Sequence, residues 1–216
     1  MSKRRVVVTG LGIVSPVGIG IAQAWDNLVH GRSGVGPITK IDATLLPTRI
    51  AAEVRGFEAA QWMPPKEVRR SDTFIHYGIA ATRMALEDAG LVIDASNAER
   101  TGVTVGSGIG GLPMIEANIL EMGAKGPRRI SPFFVPGSII NMVAGLISIQ
   151  FGAKGPNVSM VSACTTSTHC VGEAGRIIEY GDADVMIAGG AEATINMSGA
   201  VMWLASALMP MPASSQ

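Results

Sequence analysis

The chain has 216 residues, enough for one large domain or two small ones with a sizeable hydrophobic core. Its 17 Lys and Arg residues balance 17 Asp and Glu residues, so the net charge gives no reason to expect nucleic acid or a membrane surface as a partner. With 47% hydrophobic residues and 27 glycines, the composition excludes a disordered chain and favours a closely packed, layered α/β protein.

The N-terminal third begins with an apolar, β-branched run over residues 4–9, which predicts a fully buried strand ending at a glycine-rich turn. This run is too short for the core of a secretory signal peptide, so we expect none. A helix is predicted over 21–29 and closed by Gly31. Residues 34–47 are predicted as a loop, and a short strand is predicted over 50–54.

The middle of the chain repeats the order strand, glycines, helix. A long helix is predicted over 72–89, with Ser71 and Asp72 as candidate caps. A buried strand over 101–105 follows, and the glycine loop, residues 106–111, leads into another helix. This order is typical of an α/β sheet with parallel strands.

The glycine loop also raises a nucleotide-binding alternative, because Gly106, Gly108 and Gly111 spell the bare G-x-G-x-x-G fingerprint after a strand. In a dinucleotide site an acidic ribose ligand is expected roughly twenty residues further on. Arg128 and Arg129 stand there instead. We therefore keep nucleotide binding only as a weak alternative.

Residues 130–153 carry no charged side chain. Two prolines and several Asn, Gln and Ser residues disfavour a transmembrane helix in this segment. We predict instead a helix that is buried in the core or at a subunit interface.

The stretch around Cys164 reads as a strand that runs into a thiol. Residues 157–163 predict a buried strand, and the period changes at Thr165 to that of a helix ending near Gly181. A thiol in the first turn of such a helix is favoured in its reactive thiolate form, because the helix dipole stabilises negative charge there. A buried structural cysteine is the alternative interpretation of Cys164.

Neither Cys170 nor His169 is expected to act together with Cys164. On one helix, Cys170 would lie roughly 9 Å from Cys164, too far for a disulfide, so we predict free thiols and a reducing, cytoplasmic setting. His169 would lie about 140° round the helix and about 7.5 Å along it, which makes it a poor base for the thiol. His30, His76 and His169 lack metal-ligand spacing, and we predict no metal site.

Four separated motifs together resemble a known family. They are Val-Val-Val-Thr-Gly-Leu-Gly-Ile-Val-Ser-Pro-Val-Gly at 6–18, Ile-Ser-Pro-Phe-Phe-Val-Pro at 130–136, Val-Ser-Ala-Cys-Thr-Thr-Ser at 161–167, and Gly-Asp-Ala-Asp-Val-Met-Ile-Ala-Gly-Gly-Ala-Glu at 181–192. With normal spacing from residue 3 to about 195, the chain resembles the β-ketoacyl-[acyl carrier protein] synthase II family of thiolase-like condensing enzymes. The resemblance implies the layered α-β-α-β-α thiolase-like fold, of which this chain covers mainly the N-terminal half, and a homodimer.

The resemblance also implies an activity, that of an acyltransferase in fatty acid elongation. Cys164 would accept an acyl chain from acyl carrier protein as a thioester. Malonyl carrier protein would then be decarboxylated, and its carbanion would attack the acyl group in a Claisen condensation. No cofactor is implied, because the phosphopantetheine arm of acyl carrier protein carries the substrates, and neither nucleic acid nor a membrane is expected as a partner.

Further site residues follow from the resemblance alone. Ile109 matches a position that lines the acyl pocket and helps to set chain length. Phe134 and Val135 match the stretch that a partner subunit contributes to that pocket. The residues that match basic positions near the pocket mouth, suited to docking an acidic carrier protein, are Lys66, Arg69, Arg70, Arg128 and Arg129.

The chain departs from the family pattern after Ile195. We therefore predict a ketosynthase domain over 1–195 and an atypical apolar tail over 196–216, arising from a truncated or frame-shifted ending or from a fragment of a longer product. By the family's scheme, the second half of the fold holds two histidines that drive decarboxylation, so this chain alone is predicted to be incomplete as a condensing enzyme. The alternative is a non-catalytic thiolase-fold protein that binds acyl chains or a partner subunit.

Overall fold

The computed structural model describes residues 4–200 and contains short strands, longer helices and a few single-turn 3₁₀ segments. The strands are Val14–Ser15 (β1), Gly18–Ile19 (β2), Val35–Pro37 (β3), Ile50–Ala52 (β4), Thr101–Gly106 (β5), Asn157–Val158 (β6) and Val185–Gly190 (β7). The helices are Ile21–Val29 (α1), Pro65–Val68 (α2), Thr73–Asp88 (α3), Leu112–Lys125 (α4), Phe134–Ser138 (α5), Met142–Phe151 (α6) and Thr166–Tyr180 (α7).

The centre of the fold is a parallel sheet in the order β6-β5-β7. Because side chains alternate along a strand, β5 presents Val103 and Val105 to α3 and α6 on one face, and Gly106 approaches Thr166 of α7 on the other. The result is three layers, helix, sheet and helix, which confirms the predicted α/β class. The buried core between α3, α6 and β5 comprises Met63, Phe74, Ile75, Ile79, Val103, Val105, Val143, Ala144, Ile147 and Ala153.

The predicted strand over residues 4–9 is wrong. The segment forms no strand, and the side chains of Val7 and Val8 are 73% and 75% exposed. It is anchored by an ion pair between Arg4 and Asp184, at 2.8 Å, and then passes beside α3 and β7 without joining the sheet ladder. β-branched residues favour a strand, but only a neighbouring strand can supply the hydrogen bonds, and sequence composition does not identify that neighbour.

The structure also differs from the prediction in one loop and one strand. The loop predicted over 34–47 contains β3, which pairs with β4 as an antiparallel hairpin. The strand predicted over 157–163 leaves the ladder after Val158, although Ser159 Oγ still donates to the carbonyl of Val105 at 2.7 Å. In both places, local β-propensity was a weaker determinant than the available pairing partner.

The uncharged segment 130–153 forms two helices, α5 and α6, separated by a short break. Ser138 Oγ donates to the carbonyl of Phe134 at 2.6 Å within α5, and α6 buries Val143, Ala144 and Ile147 against α3 and β5. This part of the prediction, a helix buried in the core, is confirmed for α6. Within residues 4–200, no helix is both long enough and apolar enough to span a membrane.

Asp72 caps two helices at once. Its Oδ1 accepts from the N–H of Phe74 in α3 at 3.5 Å, and its Oδ2 accepts from the N–H of Met114 in the first turn of α4 at 2.7 Å. The predicted cap is therefore confirmed, and the same carboxylate joins α3 to α4. Burial raises the pKa of this carboxyl despite these hydrogen bonds.

His76 makes the stability of the fold depend on pH. It is buried in α3, with Nε2 3.2 Å from Ser71 Oγ, and burial lowers its pKa because the charged form is poorly solvated. The folded state therefore binds this proton less readily than the unfolded state does. We expect the free energy of unfolding to fall as pH drops below about 6.5, with a slope of up to about 1.4 kcal/mol per pH unit from this group.

Urea denaturation across this pH range would measure the effect. His76→Gln should flatten the slope, whereas the matched control His30→Gln, at an exposed position, should leave it unchanged. An unchanged slope in His76→Gln would refute the assignment.

Candidate active site

A cavity of about 460 Å³ lies at the carboxyl ends of β5 and β7, next to the start of α7. This is where parallel sheets commonly hold their ligands. The described residues that line it are Gly106, Ser107, Gly108, Ile109, Ala163, Cys164, Thr166, Ser167, Gly190, Ala191, Glu192, Thr194 and Gly199.

Cys164 is exposed on the wall of this cavity. It lies in a short 3₁₀ turn, Ala163–Thr165, which leads directly into α7. Ala163 has a φ of 50°, a left-handed conformation that is unfavourable for a residue other than glycine. Such local strain is often found at functional sites, where the surrounding structure enforces it.

Hydrogen bonds around Ser162 hold this turn. Thr165 donates to the carbonyl of Ser162 through its N–H at 3.1 Å and through Oγ1 at 2.6 Å. The N–H of Ser162 donates to Thr166 Oγ1 at 2.9 Å. The turn is thus tied to the first residues of α7, and the thiol stands just before the helix rather than within its first turn.

The two thiols occupy opposite environments. Cys170 is fully buried in α7, and burial raises the pKa of its thiol. The description of a buried structural cysteine therefore fits Cys170, while Cys164 is open to the cavity.

His169 is hydrogen-bonded to Ser162, with its Nδ1 2.6 Å from Ser162 Oγ. Among the described residues that line the cavity there is no histidine. Within residues 4–200, no cluster of side chains suited to holding a metal ion occurs.

Glu192, just beyond the end of β7, holds the glycine loop. Its Oε2 accepts from the N–H of Gly108 at 2.7 Å and from that of Ile109 at 3.1 Å, and its Oε1 accepts from Ser107 Oγ at 3.2 Å. Sequence reasoning noted Glu192 only as the end of a motif. An acidic residue two positions after a glycine-ended strand was the available signal.

These contacts argue against the nucleotide-binding alternative. A dinucleotide's phosphates need free N–H groups in the glycine loop and at the start of the following helix. Here Glu192 accepts from the loop, and Asp72 accepts from Met114 in the first turn of α4. Both carboxylates would repel a phosphate at the positions where the fingerprint would bind it.

The predicted substrate residues are divided between the cavity and a neighbouring helix. Ile109 lines the cavity. Phe134 and Val135 begin α5, which is joined to the glycine loop by a bond from the N–H of Gly111 to the carbonyl of Ser138 at 2.8 Å. Neither belongs to the described lining, and Val135 is 56% exposed. Their contribution to a partner's pocket stays a prediction.

The predicted docking residues form two basic clusters beside the segment that leads into α5. Lys66 lies in α2, and Arg69 and Arg70 follow it directly. The guanidinium of Arg70 stacks over the Phe133 ring, 4.4 Å from its centre.

The second cluster, Arg128 and Arg129, lies in the 3₁₀ turn Pro127–Arg129, just before Ile130. Arg129 is 3.5 Å from Glu121 of α4. The first cluster therefore contacts Phe133 through Arg70, and the second directly precedes this segment in the chain. Their role in docking stays a prediction.

A parallel sheet between helical layers, with a cysteine presented before a helix at the sheet's carboxyl edge, defines a thiolase-like fold of the ketosynthase class. Solved structures of ketosynthases match this fold. The ishigamide ketosynthase/chain length factor matches with a TM-score of 0.84 and 28% identity, over 97% of this chain and 53% of that one. A beta-ketoacyl synthase from Burkholderia phymatum STM815 matches at 0.80 and 31%, over 92% and 49%.

A type II polyketide ketosynthase, solved with its acyl-carrier protein, shares the fold at a TM-score of 0.78 and 23% identity, over 93% of this chain and 54% of that one. The sequence then identifies the family: the chain belongs to the beta-ketoacyl synthases, whose N-terminal domain matches residues 3–213.

Three curated relatives of this chain carry the same name. Two proteins named 3-oxoacyl-[acyl-carrier-protein] synthase 2, from Coxiella burnetii and Vibrio cholerae, are each 53% identical over 192 residues. The match covers 89% of this chain and 46% of each relative, so the chain spans about half the length of the curated relatives it matches. A protein of the same name from Synechocystis is 45% identical over 195 residues, covering 90% of this chain and 47% of that protein.

Proposed function

We propose that this chain supplies the acyl-accepting half of a 3-oxoacyl-[acyl-carrier-protein] synthase, with Cys164 as its nucleophile. One observation carries the proposal: an exposed thiol, in a strained turn at the start of α7, opens onto a cavity that Ile109 also lines. The similarity to proteins named 3-oxoacyl-[acyl-carrier-protein] synthase 2 supports the same assignment.

In the proposed reaction the Cys164 thiolate attacks the thioester carbonyl of an acyl carrier protein. The carbonyl oxygen becomes negatively charged, and we assign its stabilisation to the backbone N–H of Cys164 and to the dipole of α7. Collapse of the intermediate forms the cysteine thioester and expels the phosphopantetheine thiolate, which takes up a proton. We propose no metal and no bound cofactor for this step.

We assign the second step, decarboxylative condensation with malonyl carrier protein, to the whole-length protein. The described cavity lining contains no histidine that could polarise a thioester or stabilise an enolate, and His169 is engaged with Ser162. This observation also favours the second candidate, a non-catalytic chain that binds acyl chains or a partner subunit.

We propose acyl carrier protein as the partner. The two basic clusters, one of which contacts Phe133 through Arg70, suit an acidic carrier surface, and a ketosynthase of the same fold is known in complex with its acyl-carrier protein. We further propose a homodimer in which exposed Val135 serves a partner's pocket. The free thiols suit a reducing compartment such as the cytoplasm.

Incubation of the 216-residue chain with acyl carrier protein loaded with an acyl group tests the proposal. We expect the intact mass to rise by one acyl group, because thioester exchange needs only the thiol and its oxyanion donors. Addition of malonyl carrier protein should then give no β-ketoacyl product from this chain alone. Absence of the acyl adduct would refute the proposed role, and a condensation product would refute the division of the two steps.

A further inference from the structure

Glu192 is an acidic side chain on the cavity wall, and the proposed reaction gives it no role. We propose that Glu192 is a positioning residue: it holds the glycine loop so that Ile109 forms a fixed wall of the acyl cavity, and it thereby limits the acyl chain length that reaches Cys164. The inference rests on the proposed function for the nature of the substrate, while the positioning itself rests on contacts within this chain.

The loop needs an external tether because it contains little that could hold it in place. Gly106, Gly108 and Gly110 have no side chains to pack, and Gly110 adopts a left-handed φ of 85°. Ser138 holds the end of the loop by accepting from the N–H of Gly111, and Glu192 holds its middle by accepting from two backbone N–H groups and one hydroxyl. Hydrogen bonds to a charged acceptor are roughly twice as strong as neutral ones.

The tether extends through Ser107 to the far side of the loop. Ser107 Oγ donates to Glu192 Oε1 and accepts from the N–H of Gly110 at 3.0 Å. Ile109 therefore has a bond from its own N–H to Glu192 and lies between two residues that the same network holds. Its side chain, 39% exposed, projects from the most firmly tethered part of the loop.

The tethered loop also lies close to the Cys164 turn. A Cβ atom at Gly108 would lie 2.9 Å from Glu192 Oε2 and 3.5 Å from the Cα of Ala163. The backbone of Gly108 thus fits between the carboxylate and the strained residue that precedes Cys164. Loss of the Glu192 hydrogen bonds would let the loop move away from the Cys164 turn. The cavity would then widen at Ile109.

Two variants of Glu192 test whether the hydrogen bonds of its carboxylate hold the loop. Glu192→Ala removes all three contacts. Glu192→Gln keeps an oxygen acceptor for the two N–H groups and offers an N–H to Ser107 Oγ, so it should restore most of the tether. Glu173→Ala is the matched control, because Glu173 lies in α7 and pairs with Arg176 outside the cavity lining.

The first readout is hydrogen exchange at the amides of Gly108 and Ile109, measured by NMR on the 216-residue chain. We expect Glu192→Ala to accelerate exchange by at least about tenfold, since each amide loses a bond to a charged acceptor. Glu192→Gln should stay close to the parent chain, and so should Glu173→Ala. Unchanged exchange in Glu192→Ala would overturn the positioning role.

The second readout uses alkyl methanethiosulfonates, which react with an accessible thiolate without any carrier protein. We would compare the rates at which a methyl and a hexadecyl reagent label Cys164, with the label located by peptide mass. We expect Glu192→Ala to raise the ratio of hexadecyl to methyl rates by about fivefold or more, the factor that corresponds to one lost hydrogen bond. General destabilisation would instead change both rates together, leaving the ratio constant.

Should Glu192→Ala fail to fold, Gly108→Ala gives a second route, since its methyl group would displace the carboxylate while Glu192 itself remains. The same rise in the ratio is expected. A constant ratio in both folded variants would overturn the limit on chain length. Failure of the parent chain to accept an acyl group from carrier protein would count against the proposed function, and the two readouts would still decide the role of Glu192.

Discussion

Cys164→Ala is expected to abolish acyl transfer to this chain, whereas Cys170→Ala should retain it. Cys164 is the exposed thiol that lines the cavity, while Cys170 is fully buried in α7. Without the Cys164 sulfur no thioester can form, because Ala offers no nucleophile. The measurement is the intact mass of each variant after incubation with acyl-loaded carrier protein, where only chains that keep Cys164 should gain one acyl group.

A thiol reagent gives an independent control for the same residue. In the parent chain we expect iodoacetamide to modify Cys164 at least about a hundredfold faster than Cys170, which reacts only when the fold opens around it. Equal rates would contradict the assignment of Cys164 as the accessible nucleophile. An acyl adduct that persists in Cys164→Ala would contradict the proposed reaction itself.

Gly106→Ala is expected to lower the free energy of unfolding strongly and to disrupt the Cys164 turn. A Cβ atom at Gly106 would lie 2.2 Å from the carbonyl oxygen of Met160 and 2.7 Å from Cγ2 of Thr166. The first of these atoms belongs to the backbone, so the segment that leads into the turn would have to move. We expect a loss of about 3 kcal/mol in the free energy of unfolding, at the upper end of overpacking effects.

The matched control is Gly123→Ala, because no atom lies within 4 Å of a Cβ at that position in α4. Alanine is the better helix former, so this change should stabilise the chain by about 0.5–1 kcal/mol. Urea denaturation would measure both variants, and acyl transfer would report on the turn. A Gly106→Ala chain with parent stability and parent acyl transfer would show that the close approach to Met160 is not needed.

The elements that the sequence predicted best are those with strong local signals. Helices α1 and α3 have clear starts and ends, and β5 is a short, fully buried run between turn signals. The buried helix within 130–153 was predicted from the absence of charge alone, and α6 confirms it. The strand expected over residues 4–9 failed because β-propensity describes a residue's preference, while a strand also needs a partner.

In the candidate site, too, residues in local motifs could be predicted, whereas residues that depend on distant contacts could not. Cys164 and the glycine loop could be identified from their motifs, as could Ile109 through the family resemblance. Glu192 was missed because its three bonds reach residues 83 to 85 positions earlier in the chain. Bonds between such distant positions depend on β5 and β7 being neighbours in the sheet, which no local pattern reveals.

The sequence by itself determined the α/β class, the family and the thiol that is proposed to react, because each depends on short patterns with a local physical cause. Only the tertiary structure decided that Cys164 is open while Cys170 is buried, that Ala163 is strained, and that carboxylates fill the anion-binding positions of the glycine loop and α4. These features arise where segments distant in sequence meet at the carboxyl edge of the sheet. Exposure, strain and charge at that edge are properties of the assembled layers rather than of any one segment.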